Sequence, residues 1–153
     1  MRPAARALAL LLLGLASPAR ALCTDQAEIT AWIDGDTFEA TVDLGFRVLT
    51  RQRFRLMGYN APELTGPEAP FGRQALDVVR RLLPAGSRVP LYADRDDSFG
   101  RWLAHVWLDA EPRQPLVPWL IEHGWGVAWD GSGKRPRPWL EPGARYPMRG
   151  PDG

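Results

Sequence analysis

"RVLTRQRFRLM", Arg47–Met57, is written to the two-residue period of a β-strand. Even positions carry Val48, Thr50, Gln52, Phe54 and Leu56; odd positions carry Arg47, Leu49, Arg51, Arg53, Arg55 and Met57. Side chains alternate across a strand, so one face is mostly apolar and the other holds four arginines. A row of charge on a strand is ordinarily a solvated outer face, and for Arg47, Arg51 and Arg53 that reading is sufficient.

Upstream, "WIDGDTFEA" (Trp32–Ala40) places two aspartates between extended flanks. Asp34-Gly35 is a hairpin signal, because glycine takes positive φ without steric cost and Asp tolerates the turn. Asp36 falls where the next strand begins, and Asp is a poor strand former. Turn chemistry alone leaves open whether Asp36 is a further turn residue or has another task. The flanks are read as strands over Ala27–Ile33 and Thr37–Asp43, and "LGF" turns the chain into the arginine-bearing strand.

Downstream, Gly58–Pro70 ("GYNAPELTGPEAP") is a loop dense in Gly and Pro. Phe71–Leu83 has a helical apolar stripe of Phe71, Ala75, Leu76, Val78, Val79 and Leu82, with Gly86 just beyond its end. Val89–Ala93 is a short strand, "DRDDSFG" an acidic loop, and Arg101–Asp109 a fifth strand. Pro118–His123 makes a second short helix, with Pro suited to its first turn and Gly124 to its end. "WGVAW" returns to extended structure. From Gly131 onward the chain is rich in Pro and Gly and reads as an irregular, solvated basic tail. Five alternating strands with a helix between the third and fourth point to a mainly β fold with α elements, a five-stranded OB-type barrel with two or three helices. Such barrels often bind oligonucleotides or oligosaccharides.

The first 21 residues have the form of an export signal. "MRPAAR" is positively charged, "ALALLLLGLA" is apolar but short for a membrane span, and Ala19-Arg20-Ala21 gives an A-x-A cleavage pattern. The expected organisation is therefore a signal peptide over 1–21, an OB-type domain over 22–130 and the tail over 131–153, with a secreted or periplasmic destination. Removing Arg2, Arg6 and Arg20 from 19 basic residues leaves 16 against 18 acidic ones, a net charge of −2. Overall charge thus gives no support for nucleic-acid binding, and a phosphate site must come from local clustering. A single cysteine, Cys23, excludes an internal disulfide.

Four segments stand out: "DGDTF" with Asp36, "FRLMGYNAPE" with Arg55 and Glu63, "FGRWLA" with Arg101, and "LIEHGWGVA" near the end. In this order the chain resembles the staphylococcal-nuclease-like (thermonuclease) family, over about Ile29–Trp129. The resemblance implies an OB-type barrel and calcium-dependent hydrolysis of phosphodiester bonds in DNA and RNA, without sugar specificity. Arg55 and Arg101 match the family's phosphate-binding arginines, and Glu63 its carboxylate beside the attacking water. Asp36 matches the principal carboxylate ligand of Ca2+, which gives that residue its second task. The second carboxylate ligand is replaced here by Asn60, and Ala61 offers only its backbone carbonyl, so a weaker calcium site is implied. Where the family's reference enzyme has a Lys-Tyr pair, this chain has Ser98-Phe99, which weakens the expected terminal-phosphate contact at Phe99. Trp129 falls near the family's base-stacking aromatic, although a tryptophan there can equally be core.

The chemistry agrees with those residue types. Phosphodiester hydrolysis builds negative charge on phosphorus-bound oxygens, and catalysis rests on positioning and electrostatic stabilisation. Arginine stays protonated and its planar fork bonds two phosphate oxygens at once. A carboxylate can orient the water or take its proton. Calcium takes 6–8 oxygen ligands, among them carboxylates, amide oxygens and backbone carbonyls. His105 and His123 read as packing or surface residues, and the acidic run Asp94, Asp96 and Asp97 lacks the histidines or cysteines of a transition-metal cluster. The expected entity is a monomeric exported nuclease. A non-catalytic nucleic-acid-binding module of the same fold is the alternative, though such a module need not keep Asp36, Arg55, Glu63 and Arg101. An oligosaccharide-binding barrel explains the aromatics but not two arginines set against two carboxylates.

Overall fold

The computed structural model describes residues 22–108 and 113–148. The expected signal segment lies outside them. The arginine-bearing strand, β3 (Leu49–Leu56), has a partner on each edge. It pairs antiparallel with β2 (Thr37–Asp43), in a register that sets Thr37 opposite Arg55 and Phe38 opposite Phe54. On its other edge it pairs in parallel with β6 (Trp102–Val106), Arg55 opposite Leu103. β6 pairs antiparallel with β5 (Arg88–Asp96), and β5 with β1 (Leu22–Trp32), which returns to β2. The order β1-β2-β3-β6-β5 closes a five-stranded mixed barrel, as the alternation implies. Closure removes the exposed edges that an open sheet of this size would carry.

The even residues Phe54 and Leu56 point inward and are fully buried with Ile29, Phe38, Val42 and Leu91. Phe38 stacks on Phe54 with ring centroids 5.4 Å apart. The helix α1 (Ala69–Leu82) covers one end of the barrel with Ala75, Leu76, Val78 and Val79. Trp32 Nε1 donates to the Leu83 carbonyl at 2.8 Å, joining the end of β1 to the end of this helix. A shorter helix, α2 (Leu116–Glu122), buries Leu116 and Leu120. The short strands β4 (Tyr59–Asn60) and β7 (Val127–Ala128) form a separate antiparallel pair beyond the end of β3.

Two expectations need correction. The third strand starts at Leu49, not Arg47, because Phe46 and Arg47 adopt positive φ (52° and 65°) to complete the hairpin turn. Val48 and Leu49 consequently stay exposed, and the alternation becomes a buried face only from Phe54 onward. The tail beyond residue 130 is irregular and largely exposed, but it is pinned to the domain at a few residues. Trp139, in a short 3-10 turn (Pro138–Leu140), is 2% exposed and donates from Nε1 to Glu68 at 3.0 Å. Tyr146 donates to the Trp125 carbonyl at 2.9 Å, and the Met148 amide to the Gly124 carbonyl at 3.0 Å. A large aromatic with a polar handle can anchor a segment that has no regular structure of its own.

Candidate active site

The end of β3 and the loops around it enclose an open cleft of about 760 Å³. Arg55, Glu63, Phe99, Arg101, Trp129 and Arg135 all line it. Asp36 and Asn60 lie behind its wall, 3% and 0% exposed.

Asp36 is held there by the hairpin. Its amide donates to Asp34 Oδ1 at 2.9 Å, the local turn bond that the Asp-Gly signal implies. Its own carbonyl accepts from the Leu56 amide at 2.8 Å, fastening the turn to the end of β3. Three donors hold the carboxylate: Oδ1 accepts from Arg55 Nη1 and from Thr37 Oγ1, both at 2.9 Å, and Oδ2 accepts from the Ala61 amide at 3.2 Å. Arg55 also reaches toward the Tyr59 carbonyl at 3.4 Å, and its guanidinium carbon lies 5.7 Å from the Trp129 ring centre. Burial, then the neighbouring Asp36 charge, pushes the Asp34 carboxyl up to about 7. Gly35 is required for this arrangement, since a Cβ there would lie 2.8 Å from both Ala61 Cβ and Ala75 Cβ.

Arg101 opens β6, where the acidic loop before it provides its anchor. Asp97 Oδ2 accepts from Arg101 Nε at 2.8 Å and pairs with Nη2 at 2.6 Å, while Oδ1 accepts from the Arg101 and Phe99 amides. Burial raises the Asp97 carboxyl, but the hydrogen bonds from Arg101 outweigh it and hold the group below the ordinary carboxylate value. A long contact of 3.5 Å from Arg101 Nη1 to Thr37 Oγ1 connects this arginine, through Thr37 and Asp36, to Arg55. Phe99 is 81% exposed and faces Arg101, 5.2 Å from ring centre to guanidinium carbon. Trp129 is half-buried in the cleft wall, its amide on the Gly58 carbonyl and its Nε1 on the Ser132 carbonyl. It is therefore cleft lining, not core.

Glu63 stands on the other side, its side chain 46% exposed. The loop that carries it is fixed from behind: the Glu63 amide donates to buried Glu68 at 3.0 Å, and the Glu63 carbonyl packs on Gly72 so closely that a Cβ there would come within 2.2 Å. Asn60, Ala61 and Glu63 then share one partner that sequence reasoning assigned to a solvated tail. Arg135 Nε donates to Asn60 Oδ1, Nη2 to the Ala61 carbonyl at 2.6 Å, and Nη1 to Glu63 Oε1. Asn60 Nδ2 meanwhile donates to the Pro136 carbonyl at 2.9 Å. Asp97 and Glu68 were also missed as positioning groups. The only hint for Asp97 was its four-residue spacing to Arg101, and Glu68 gave none.

Of the expected residues, Arg55, Glu63, Phe99, Arg101 and Trp129 thus line one cleft, and Asp36, Asn60 and Ala61 are buried beside it. His105 and His123 lie elsewhere, against Tyr92 and Trp107 and against Trp119. No group of three or more His, Cys, Asp or Glu among the described residues is arranged to hold a metal ion. The donor chemistry still suits a hard cation. Three oxygens converge on one positive group, the Arg135 guanidinium, which stands where such an ion would find amide, carbonyl and carboxylate ligands.

Residues 53–136 match the family model described as staphylococcal nuclease homologue. The matched span holds Arg55, Asn60, Glu63, Arg101, Trp129 and Arg135, with Asp36 upstream of it. No individual curated protein matches the chain.

Proposed function

Starting from a chain that belongs to the staphylococcal nuclease homologue family, with over half its length inside the matched span, we propose an exported, calcium-dependent nuclease acting on DNA and RNA alike. The observation that carries the reading is the pairing of Arg55 and Arg101 in one cleft with Glu63. A phosphodiester entering the cleft meets two guanidinium groups whose second donors can turn to its oxygens, and charge that develops there is stabilised without reorganisation. Glu63, the most exposed carboxylate of the set, orients the attacking water or takes its proton. Trp129 and Phe99 give the flanking bases π-faces, which supports binding without sequence readout. Asp36, Asn60 Oδ1 and the Ala61 carbonyl would hold Ca2+, which when bound would neutralise charge on a phosphate oxygen. The first 21 residues would direct export, and N-terminal sequencing of protein recovered outside the cytoplasm should start at Leu22.

A non-catalytic nucleic-acid-binding module is the second reading, favoured by one contact: Arg135 occupies the Glu63 carboxylate. A single assay separates the two. Purified protein is incubated with single-stranded DNA and with RNA, in millimolar calcium or in chelator, beside a Glu63→Ala control. The nuclease reading expects calcium-dependent loss of both substrates, absent in the control. Binding without cleavage by either protein leaves the module reading.

A further inference from the structure

The Arg135 contacts are not those of a surface charge. Its side chain is 19% exposed, and its donors reach three separate oxygens from one loop. These include both non-carboxylate oxygens that the calcium reading requires, together with the carboxylate assigned to the attacking water. A guanidinium is a planar fork of five donors that loses little freedom per bond, so it can fill such a cage where a lysine would meet one oxygen at a time.

Resting on the nuclease reading, we propose that Arg135 is a built-in, displaceable cation: a divalent ion and this guanidinium compete for the same oxygens of Asn60 and Ala61, and the guanidinium also holds Glu63. One oxygen cannot be both tightly coordinated to an ion and saturated by the arginine fork, so binding of the ion requires Arg135 to swing out. Its departure frees Glu63 for water, and it leaves a third arginine able to turn toward phosphate in the cleft it already lines.

The geometry around Arg135 says what moves. The segment from Asp130 to Arg137 is a strap between two fixed points. At one end β7 and the Trp129 amide hold it. At the other, Trp139 is buried on Glu68, which also accepts from Arg137 Nε at 3.1 Å. Gly131 and Gly133, at φ 88° and 65°, give the strap its bends. Between the anchors, Arg135 and Asn60 Nδ2 on the Pro136 carbonyl tie it to the cage, Arg135 also lies 3.9 Å from Glu68, and the Ser132 carbonyl accepts from Trp129 Nε1. Displacing Arg135 therefore loosens residues 130–137 and leaves Trp139 seated.

The test uses calcium itself as the probe. Isothermal titration compares wild type, Arg135→Gln, Arg135→Lys and Arg137→Gln, and hydrogen exchange follows peptides covering 130–137 with and without calcium. A closed state divides apparent affinity by the reciprocal of the open fraction; with about one-tenth of the population open, removing it in Arg135→Gln should tighten calcium binding about tenfold. Arg135→Lys should fall between, and Arg137→Gln, which touches an anchor but none of the three oxygens, should tighten binding far less than Arg135→Gln. In wild type, calcium should speed exchange across 130–137 and not at Trp139. Unchanged or weaker binding by Arg135→Gln overturns the proposal, as does calcium slowing exchange in the strap. Absence of calcium binding to wild type and Arg135→Gln alike overturns it too, even if the nuclease assay succeeds. The nuclease reading in turn falls on absent hydrolysis whatever the titrations show. The wild-type exchange experiment stands if a variant fails to fold.

Discussion

Arg55→Met separates two tasks that one side chain performs. In the folded chain Arg55 Nη1 meets Asp36 Oδ1 at 2.9 Å, with side-chain exposures of 13% and 5%. Methionine keeps the apolar stem and removes the charge, leaving a buried carboxylate with only the Thr37 hydroxyl and the Ala61 amide as donors. Removing one partner of a buried ion pair costs about 3–5 kcal/mol. The two surviving donors put the expected loss at the lower end, about 3 kcal/mol, because the carboxylate is not orphaned. For a chain of this size that corresponds to a fall in Tm of about 12 °C. The partner pair, Arg101 with Asp97, has exposures of 21% and 16%, and Arg101→Met should cost only about 1 kcal/mol, since partly solvated pairs are worth little.

The decisive measurement is a double-mutant cycle by thermal and guanidinium melts in chelator, so that no cation compensates the bared Asp36. The Asp36→Asn/Arg55→Met protein loses the buried charge together with its partner, and should recover about 2 kcal/mol relative to the sum of the single losses. Turnover should be lost in every member lacking Arg55, whatever its stability. If the single effects add within about 0.5 kcal/mol, Asp36 and Arg55 are not energetically coupled, and the argument that this arginine braces the site from behind is wrong.

Other outcomes can be checked separately. Gly72→Ala should destabilise the protein by about 1–3 kcal/mol and depress turnover with Glu63 intact, since its Cβ would meet the Glu63 carbonyl at 2.2 Å; a melt and a hydrolysis assay at low temperature distinguish the two effects. Trp139→Ala should cost about 3–5 kcal/mol by urea unfolding, against almost nothing if this side chain faced solvent. Asp97→Asn carries a pH signature. The Asp97 carboxyl is held low in the folded state, so its stabilisation is present above the unfolded value of 3.8 and disappears as pH falls through the lower folded value. The stability gap between wild type and this variant should therefore be steady near neutrality and close in acid; a gap that widens on acidification refutes the assignment.

The barrel was legible because its strands obey a period that burial enforces: Phe54 and Leu56 cannot change places with Arg53 and Arg55 without turning the strand inside out. Asp36, Arg55, Glu63 and Arg101 were legible as residue types near element ends. Their relation was not, because the contact between Asp36 and Arg55 depends on the register that sets Thr37 opposite Arg55, which pairing fixes and composition does not. Arg135 was hidden more deeply. It lies 75 residues from Asn60, inside a Lys-Arg-Pro run whose composition reads as solvent-facing, and its burial depends on Trp139 finding a carboxylate in the turn before α1. That placement changes the meaning of Asn60. Viewed as a lost calcium ligand, it is a carboxylate short of one charge. In the structure its oxygen accepts from Arg135 while its nitrogen donates to the Pro136 carbonyl, two adjacent residues of one strap. An ionised aspartate has no hydrogen to donate and would face the Pro136 carbonyl with negative charge. Asn60→Asp should therefore strengthen the pull on Arg135 and on calcium alike while breaking the second tie, so its calcium affinity should rise fully only in the company of Arg135→Gln. A titration in which Asn60→Asp alone reaches the affinity of the double variant would show that the amide and the arginine do not act as a unit.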